Sequence, residues 1–201
     1  MFYMAEKYGL VCKGLTLSHA QAAYIEGEIR NRKLEHLVSV EVRNIHDMEG
    51  TYDYIASVGV LEHVSNYDDL YRKTAKCLKE SGSALFHSMF HREPLYQADP
   101  FILKYIFRKG SVPHIKRNLK IAGKYFGYVD RNDLPALSYP KTLACWYEAF
   151  CENEAAIRKL LQAKGKNVDI DFSIRTFKHY LTLAYCGLSV KGLVANILVR
   201  K

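Results

Sequence analysis

The chain has 201 residues, of which 49% are hydrophobic, 25% are charged and 12% are aromatic, and its formal net charge is +8. This composition excludes a disordered, collagen-like or low-complexity chain and fits a single globular domain. No apolar run approaches the roughly 18 residues of a spanning helix, and no signal peptide is recognised, so we expect a cytoplasmic protein. The five cysteines include no C-x-x-C pair, so they are interpreted as reduced thiols and no metal site is predicted.

The first hundred residues alternate short apolar runs with helical patterns. Ser18 and Gln21 have the spacing of a capping box, which predicts a helix over Ser18–Lys33, and a second helix is predicted over Tyr67–Lys79. The apolar runs predict buried strands at Leu10–Leu17, Leu37–Arg43, Tyr52–Val60 and Ser83–Met89. Strands that alternate with helices of this length indicate βαβ units and a mostly parallel sheet.

The middle of the chain differs in proline content and in charge. All five prolines fall between positions 94 and 140, which predicts an insertion of loops and short helices, at about residues 91–140, that covers the sheet edge as a lid. Between Lys104 and Arg131, eight basic residues and one acid are interleaved with aromatic side chains. Such a segment favours an anionic partner, either lipid headgroups or nucleic acid.

The two ends of the chain depart from the alternation. Residues 1–9 are predicted as a helix closed by Gly9, with no strand before it, and no G-x-G-x-x-G turn occurs in the sequence. In doubly wound nucleotide-binding sheets such a turn follows the first strand. We therefore expect an α/β, Rossmann-like fold without its first strand and glycine-rich loop. The remaining elements are predicted as helices at Tyr139–Lys164 and Phe172–Ser189 and a last strand at Gly192–Arg200.

Seven segments carry a specific combination of motifs in a fixed order. They are YMAEKYG (3–9), GLTLSHAQ (14–21), YDYIASVGVLEHV (52–64), NYDDLYRKTAKCLKESG (66–82), LFHSM (85–89), DPFILKYIFRKGSVP (99–113) and TLACWYEAF (142–150). Together they resemble the cyclopropane-fatty-acyl-phospholipid synthases, a family of S-adenosylmethionine-dependent methyltransferases. The resemblance implies a class I methyltransferase fold and an N-terminally truncated, partial catalytic domain over residues 1–201.

The resemblance also implies a reaction and its partners. The family transfers a methylene from S-adenosylmethionine to the cis double bond of a phospholipid acyl chain, and bound bicarbonate accepts the proton that leaves. The implied cofactors are therefore S-adenosylmethionine and bicarbonate. The implied partners are phospholipid acyl chains at an anionic membrane surface, with the protein peripheral to the membrane and no nucleic acid bound.

Four catalytic residues are implied by the match. Glu62 of LEHV corresponds to the family's acidic residue that holds bicarbonate, and His87 of LFHSM corresponds to its histidine. Met89 takes the place of an apolar residue whose backbone reaches the same anion. Tyr147 of WYEAF corresponds to the tyrosine whose hydroxyl completes the cluster. A cysteine that also contacts bicarbonate in the family has no counterpart here.

Two segments are implied to bind the cofactor. Family members commonly carry an Asp-aromatic pair at the positions of Asn44 and Ile45, so this departure implies altered adenine recognition. The segment that lines the ribose and amino-acid side of S-adenosylmethionine is matched by Gly14, Thr16, Leu17, Ser18 and Gln21.

Two other functions fit parts of the sequence. Plant-type alkaloid N-methyltransferases share the Glu and His positions and often show the H-x-x-x-H pattern of His87 and His91, and an amine nucleophile needs no bicarbonate. A non-catalytic basic domain for membranes or nucleic acid is permitted by the net charge. Taken alone, His87 also fits a core histidine, Tyr147 fits a packing residue of an amphipathic helix, and Ser18 and Gln21 fit a helix cap.

Overall fold

The structure, a computed structural model, describes residues 1–93, 99–108, 110–135, 138–163, 168–190 and 192–201. The described strands are β1 (Cys12–Thr16), β2 (Val38–Val42), β3 (Tyr52–Val58), β4 (Leu78–Phe90), β5 (Tyr128–Asp133) and β6 (Leu193–Arg200). The described helices are α1 (Phe2–Tyr8), α2 (His19–Asn31), α3 (Tyr67–Cys77), α4 (Pro100–Tyr105), α5 (Ile115–Ala122), α6 (Ser138–Glu152), α7 (Glu154–Ala163) and α8 (Ile170–Val190).

The strands form two sheets. Strands β1 and β2 make a parallel pair, and the other four have the order β3-β4-β6-β5. Strand β4 is parallel to β3, and β6 is antiparallel to both of its neighbours, so β3, β4 and β5 all run in one direction. The predicted α/β class with a mostly parallel sheet is therefore confirmed.

The described strands β1 and β3 are not hydrogen-bonded to each other, so the two sheets are separate in the hydrogen-bond pattern. On β3, the apolar side chains of Tyr54 and Val58 are exposed. The expectation that a first strand and its glycine-rich loop are missing remains a prediction.

The main core lies between α3 and the four-stranded sheet. Helix α3 begins at Asn66, whose side chain accepts a hydrogen bond from the Asp69 amide at 3.1 Å, and it buries an apolar face against β4. The Tyr71 ring packs edge-on against Phe86 with 5.1 Å between centroids, and its hydroxyl donates to Asn118 Oδ1 at 3.3 Å. Burial raises the pKa of Tyr71, so the phenol stays protonated as a donor.

Helix α5 and strand β5 lie inside the segment that the sequence analysis assigned to an insertion. Asp68 of α3 accepts hydrogen bonds from Lys124 Nζ at 2.7 Å and from the Tyr125 hydroxyl at 2.6 Å, which attach the end of α5 to the core. Strand β5 pairs with β6 along the sheet edge. Its sequence, YVDRND, is polar, because an edge strand needs few apolar residues. A search for apolar runs therefore does not predict this strand. The lid role remains a prediction, and its residues 94–98, 109 and 136–137 lie outside the described part.

The helix predicted over Tyr139–Lys164 is two helices in the structure, α6 and α7. They separate at Asn153, whose side-chain amide donates to the Ala149 carbonyl at 2.8 Å. The Ala149 carbonyl also accepts from the Asn153 backbone amide at 3.1 Å, so the side chain of Asn153 shares the acceptor of the last turn of α6. Lys164 lies outside the described residues. Among the described helices, none is both long enough and apolar enough to cross a membrane.

We expect Phe86→Ala to lower the free energy of unfolding by about 3–5 kcal/mol, because it leaves a cavity between α3 and the sheet. Urea denaturation followed by circular dichroism measures the loss. Tyr24→Ala removes a ring that is 70% exposed on α2 and should change the same quantity by less than about 0.5 kcal/mol. Equal losses in the two variants would contradict the core described here.

Candidate active site

Glu62 lies in a short 3-10 helix, Leu61–His63, just after β3, and only 8% of its surface is exposed. Its Oε1 accepts a hydrogen bond from the backbone amide of Met89 at 2.8 Å. Its Oε2 is buried and, among the described residues, has no hydrogen-bond partner. A buried carboxylate oxygen without a donor is costly, so this oxygen marks a place where a bound molecule with a donor hydrogen would be stabilised.

The pairing of β3 with β4 brings Glu62 to the end of β4. The strands are parallel, with Val58 opposite His87, so both carboxyl ends meet at one sheet edge. Gly59 then turns the chain with a φ of 64°, a conformation that favours glycine, and its amide donates to the His87 carbonyl at 2.9 Å. The Glu62 carbonyl accepts from the Ser111 amide at 2.8 Å, which holds the turn from the other side.

Within the described part of the chain, the His87 ring makes two hydrogen bonds to side chains. Its Nδ1 lies 3.0 Å from Asn196 Oδ1 on β6, and its Nε2 lies 3.4 Å from the hydroxyl of Tyr139 on α6. An amide oxygen only accepts hydrogen bonds, so Nδ1 carries the hydrogen and Nε2 is the acceptor. Asn196 thus selects the tautomer and the orientation of the ring.

Tyr139 brings a phenol into this cluster, and the sequence motifs did not identify it. Burial first, and the negative charge of Glu62 second, raise the pKa of Tyr139, so the phenol stays protonated and can donate. The sequence gives only a weak signal for the role of Tyr139. Tyr139 lies three residues before the matched segment TLACWYEAF, which contains a tyrosine of its own.

Tyr147, which the sequence analysis placed in the cluster, lies elsewhere on α6. It follows Tyr139 by eight residues, or roughly 12 Å along the helix axis. It is 37% exposed and lines a separate cavity of about 210 Å³, together with Leu143 and Leu181. Within the described residues no hydrogen bond connects Tyr147 to Glu62 or His87, so the structure brings Tyr139, not Tyr147, to the histidine.

The backbone amide of Met89 holds Glu62 Oε1. The contact of the Met89 backbone with a bound anion, which the resemblance implies, remains a prediction. Met89 lies opposite Val194 where β4 pairs with β6. Met89 therefore acts on the position of the carboxylate.

The first proposed cofactor segment forms the turn from β1 into α2. The Thr16 hydroxyl donates to Gln21 Oε1 at 2.6 Å and accepts from the Ser18 amide at 3.1 Å, while the Ser18 hydroxyl caps α2 by accepting from the Gln21 amide at 3.2 Å. Leu17 is exposed at the tip of this turn. At Gly14, a Cβ would lie 2.5 Å from the Met1 sulfur, so the absence of a side chain lets Met1 lie against β1.

The second proposed cofactor segment follows β2. The Asn44 side chain accepts from the His46 amide at 3.0 Å and begins the short helix Ile45–Asp47, and Ile45 packs against the main core. Strands β1 and β2 are parallel neighbours, so this segment and the β1 turn lie at the same edge of their sheet.

The profile of one protein family matches almost the whole chain. The family is described as mycolic acid cyclopropane synthetase, and the match covers residues 1–191. The cyclopropane-fatty-acyl-phospholipid synthase of Escherichia coli (strain K12) is 31% identical over 151 residues, which are 74% of this chain and 38% of that protein. The chain thus spans less than half the length of this curated relative.

Solved structures match the fold over the full chain. The mycolic acid cyclopropane synthase CmaA1 complexed with SAH and CTAB gives a TM-score of 0.86 at 23% identity, covering 100% of this chain and 73% of that one. Coclaurine N-methyltransferase bound to N-methylheliamine and SAH gives 0.80 at 22% identity, covering 100% and 61%.

The sheet order and these structural matches define the fold of S-adenosylmethionine-dependent methyltransferases. The profile match then gives the family: the chain belongs to the mycolic acid cyclopropane synthetases. The resemblance recognised from the sequence motifs is confirmed.

Nitrogen NMR spectra of the histidine rings should show His87 as the Nδ1–H tautomer. Asn196→Leu removes the accepting oxygen at similar volume, so we expect the population to shift toward Nε2–H. Asn132→Leu, which alters the residue opposite Asn196 across β5 and β6, is the control and should leave the His87 signals unchanged. An unchanged His87 spectrum in Asn196→Leu would show that this amide does not select the tautomer.

Proposed function

We propose that this protein transfers a methylene from S-adenosylmethionine to the cis double bond of a phospholipid acyl chain, with bicarbonate as the proton acceptor. Family membership and the E. coli synthase relative supply the reaction class. The single observation that carries the proposal at this site is the buried Oε2 of Glu62, which has no partner among the described residues.

Bicarbonate fits the pattern of donors and acceptors around Glu62. Because Glu62 is itself an anion, a second anion is stabilised there only through a hydrogen that it donates. Bicarbonate has such a hydrogen on its hydroxyl, and Glu62 Oε2 can accept it. The Tyr139 phenol has one hydrogen, which lies toward His87 Nε2 and can turn to a charged oxygen of the bicarbonate without adding charge, and its raised pKa preserves that hydrogen.

The protein groups have separate parts in the proposed reaction. Bound bicarbonate supplies the base for the proton that leaves as the cyclopropane ring closes. The Met89 amide fixes Glu62, and Glu62 orients the anion. His87 positions the Tyr139 hydroxyl through its Nε2, and burial at this edge excludes water that would otherwise capture a carbocation-like centre in the acyl chain.

We propose that S-adenosylmethionine binds at the shared edge of β1 and β2. Gln21 and Asn44 each use the side-chain oxygen within the fold, whereas their amide nitrogens make no hydrogen bond in the described part of the chain. Those nitrogens are donors for ribose hydroxyls and adenine nitrogens. Leu17 is exposed in the same turn as Gln21, whereas the space beside Gly14 is filled by the Met1 side chain.

Exposed aromatic and basic side chains support a membrane-peripheral protein. Tyr105 of α4 packs edge-on against Phe172 of α8 at 5.3 Å between centroids, and both rings are exposed. The Lys104 ammonium lies 5.0 Å from the Tyr105 ring centre, and Trp146 is exposed on α6. Aromatic rings beside cations favour the boundary of an anionic bilayer, where the proposed acyl substrate resides.

We expect Glu62→Gln to lower kcat for cyclopropane formation roughly 100-fold, because it removes the charge that accepts the bicarbonate hydrogen. Mass spectrometry of vesicles with cis-unsaturated phospholipids, incubated with S-adenosylmethionine and bicarbonate, measures the gain of one CH2 group. Glu35→Gln, at an exposed position, is the control and should leave kcat unchanged. Unmodified acyl chains with the unaltered protein would refute the proposed reaction.

Substitutions of Tyr139 and Tyr147 test which of these two phenols of α6 acts on the bound anion. We expect Tyr139→Phe to lower kcat roughly 100-fold, because a hydrogen-bond donor to the anion is lost. Tyr147→Phe, an identical change on the same helix, should alter kcat less than twofold in the same assay. The reverse ranking would reinstate Tyr147 as the phenol of the cluster.

Methylation of a small amine is the second candidate. It is favoured by the fold match to coclaurine N-methyltransferase and by a 31% identity over 118 residues to the (S)-coclaurine N-methyltransferase of Thalictrum flavum subsp. glaucum. An amine needs no bicarbonate, so its methylation would not depend on added bicarbonate. A methylated amine together with unmodified lipid would select this candidate.

A further inference from the structure

A cavity of about 510 Å³ opens between the end of β4 and the start of α5. Its polar lining comprises Tyr67, His91, Ser111, His114 and Arg117, and we call it the α5 pocket. We propose that the α5 pocket binds a phosphate group, an activity that goes beyond methylene transfer and does not require it.

Arg117 gives the α5 pocket its permanent positive charge. Helix α5 has the sequence IKRNLKIA, with three basic residues and no acid. Within the described residues, no carboxylate forms an ion pair with Arg117. A guanidinium that lines a cavity without a carboxylate partner is suited to a bidentate contact with phosphate oxygens.

His114 and Ser111 add neutral donors beside Arg117. His114 Nδ1 accepts from the Arg117 amide at 3.2 Å, so its hydrogen lies on Nε2, which is left as a donor. The Ser111 hydroxyl makes no hydrogen bond among the described residues. Phosphate oxygens accept hydrogen bonds from guanidinium, imidazole N–H and hydroxyl groups, and the α5 pocket contains all three.

The walls of the α5 pocket are held in place by the backbone. The His91 amide donates to the Pro113 carbonyl at 3.0 Å, and the Ile115 amide donates to the His91 carbonyl at 3.1 Å. The rings of His91 and His114 meet edge-on with 5.0 Å between centroids. A preorganised lining of this kind reduces the ordering cost of binding.

The volume of the α5 pocket and the negative charge near it limit which phosphate compounds can bind. About 510 Å³ lies within the range of small-ligand pockets, roughly 300–1,000 Å³, so a phosphate ester can enter with part of its alcohol. Two carboxylates oppose an anion here, and one is Glu62, whose negative charge adds to burial in raising the pKa of Tyr67. Glu93 interacts electrostatically with His91, and its removal should strengthen phosphate binding.

The α5 pocket adjoins the Glu62 segment but uses different side chains. The Tyr67 hydroxyl donates to the Leu61 carbonyl at 3.2 Å, and the Ser111 amide donates to the Glu62 carbonyl at 2.8 Å. Phosphate binding in the pocket can therefore be measured apart from the Glu62 cluster.

The experiment is an NMR titration of the isotopically labelled chain with inorganic phosphate and with glycerol phosphate, without S-adenosylmethionine. We expect saturable shifts at residues 111–117, weakened roughly tenfold by Arg117→Gln, which loses a charge-assisted contact. Lys120→Gln removes the same charge from the same helix outside the pocket lining, and it should change the affinity less than twofold. Glu93→Gln should strengthen binding.

Two further variants test whether the imidazole of His114 donates to the phosphate and whether the pocket is independent of the Glu62 cluster. His114→Asn preserves the helix cap but removes the imidazole donor, so binding should weaken while α5 stays folded. Tyr139→Phe should leave phosphate binding unchanged, because this phenol belongs to the Glu62 cluster. Absence of saturable binding, or equal weakening by Arg117→Gln and Lys120→Gln, would overturn the proposal.

Vesicles identify the source of the phosphate. If vesicles of phosphatidylglycerol bind, lose affinity in Arg117→Gln and are displaced by inorganic phosphate, the pocket accepts a lipid headgroup. If vesicle binding is insensitive to Arg117→Gln while glycerol phosphate still binds, the pocket accepts a soluble phosphate ester. Either result supports the phosphate site and remains valid if no methylene transfer is found.

Discussion

The hydrogen bond from the Met89 amide to Glu62 Oε1 is the contact on which the candidate site depends. A carboxylate taken out of water loses far more hydration than one hydrogen bond restores, so a second partner is required at the other oxygen. Since the donor is a backbone amide, the side chain at position 89 is not what holds Glu62. This hydrogen bond instead requires that the carboxyl ends of β3 and β4 lie side by side.

That requirement is met by a parallel strand pair followed by a glycine. With Val58 opposite His87, the two strands end within a few residues of each other, and Gly59 turns the chain so that Glu62 comes back over the end of β4. A side chain at position 59 would have to adopt a left-handed conformation at an energetic cost. The site is therefore specified mainly by register and turn geometry.

The sequence predicted what depends on local pattern and missed what depends on packing between distant elements. Strand ends place Glu62 and His87 at one edge, and a motif match identifies them. The choice between Tyr139 and Tyr147 depends on where α6 lies against the sheet, which no periodicity encodes. Strand β5 was missed because an edge strand needs little apolar sequence, and the role of the Met89 amide is invisible in a side-chain motif.

The charges of the cluster bear on the proposed chemistry. The His87 ring donates to Asn196 at Nδ1, and the raised pKa of Tyr139 keeps its phenol protonated and uncharged. Glu62 then leaves the cluster with a net negative charge, which a bound bicarbonate increases. This charge opposes anion binding in the resting site but stabilises positive charge that develops in an acyl chain beside it. In the proposed reaction, such a cluster would bind bicarbonate weakly in the absence of substrate and more strongly as the cation forms, which would favour the transition state over the resting complex.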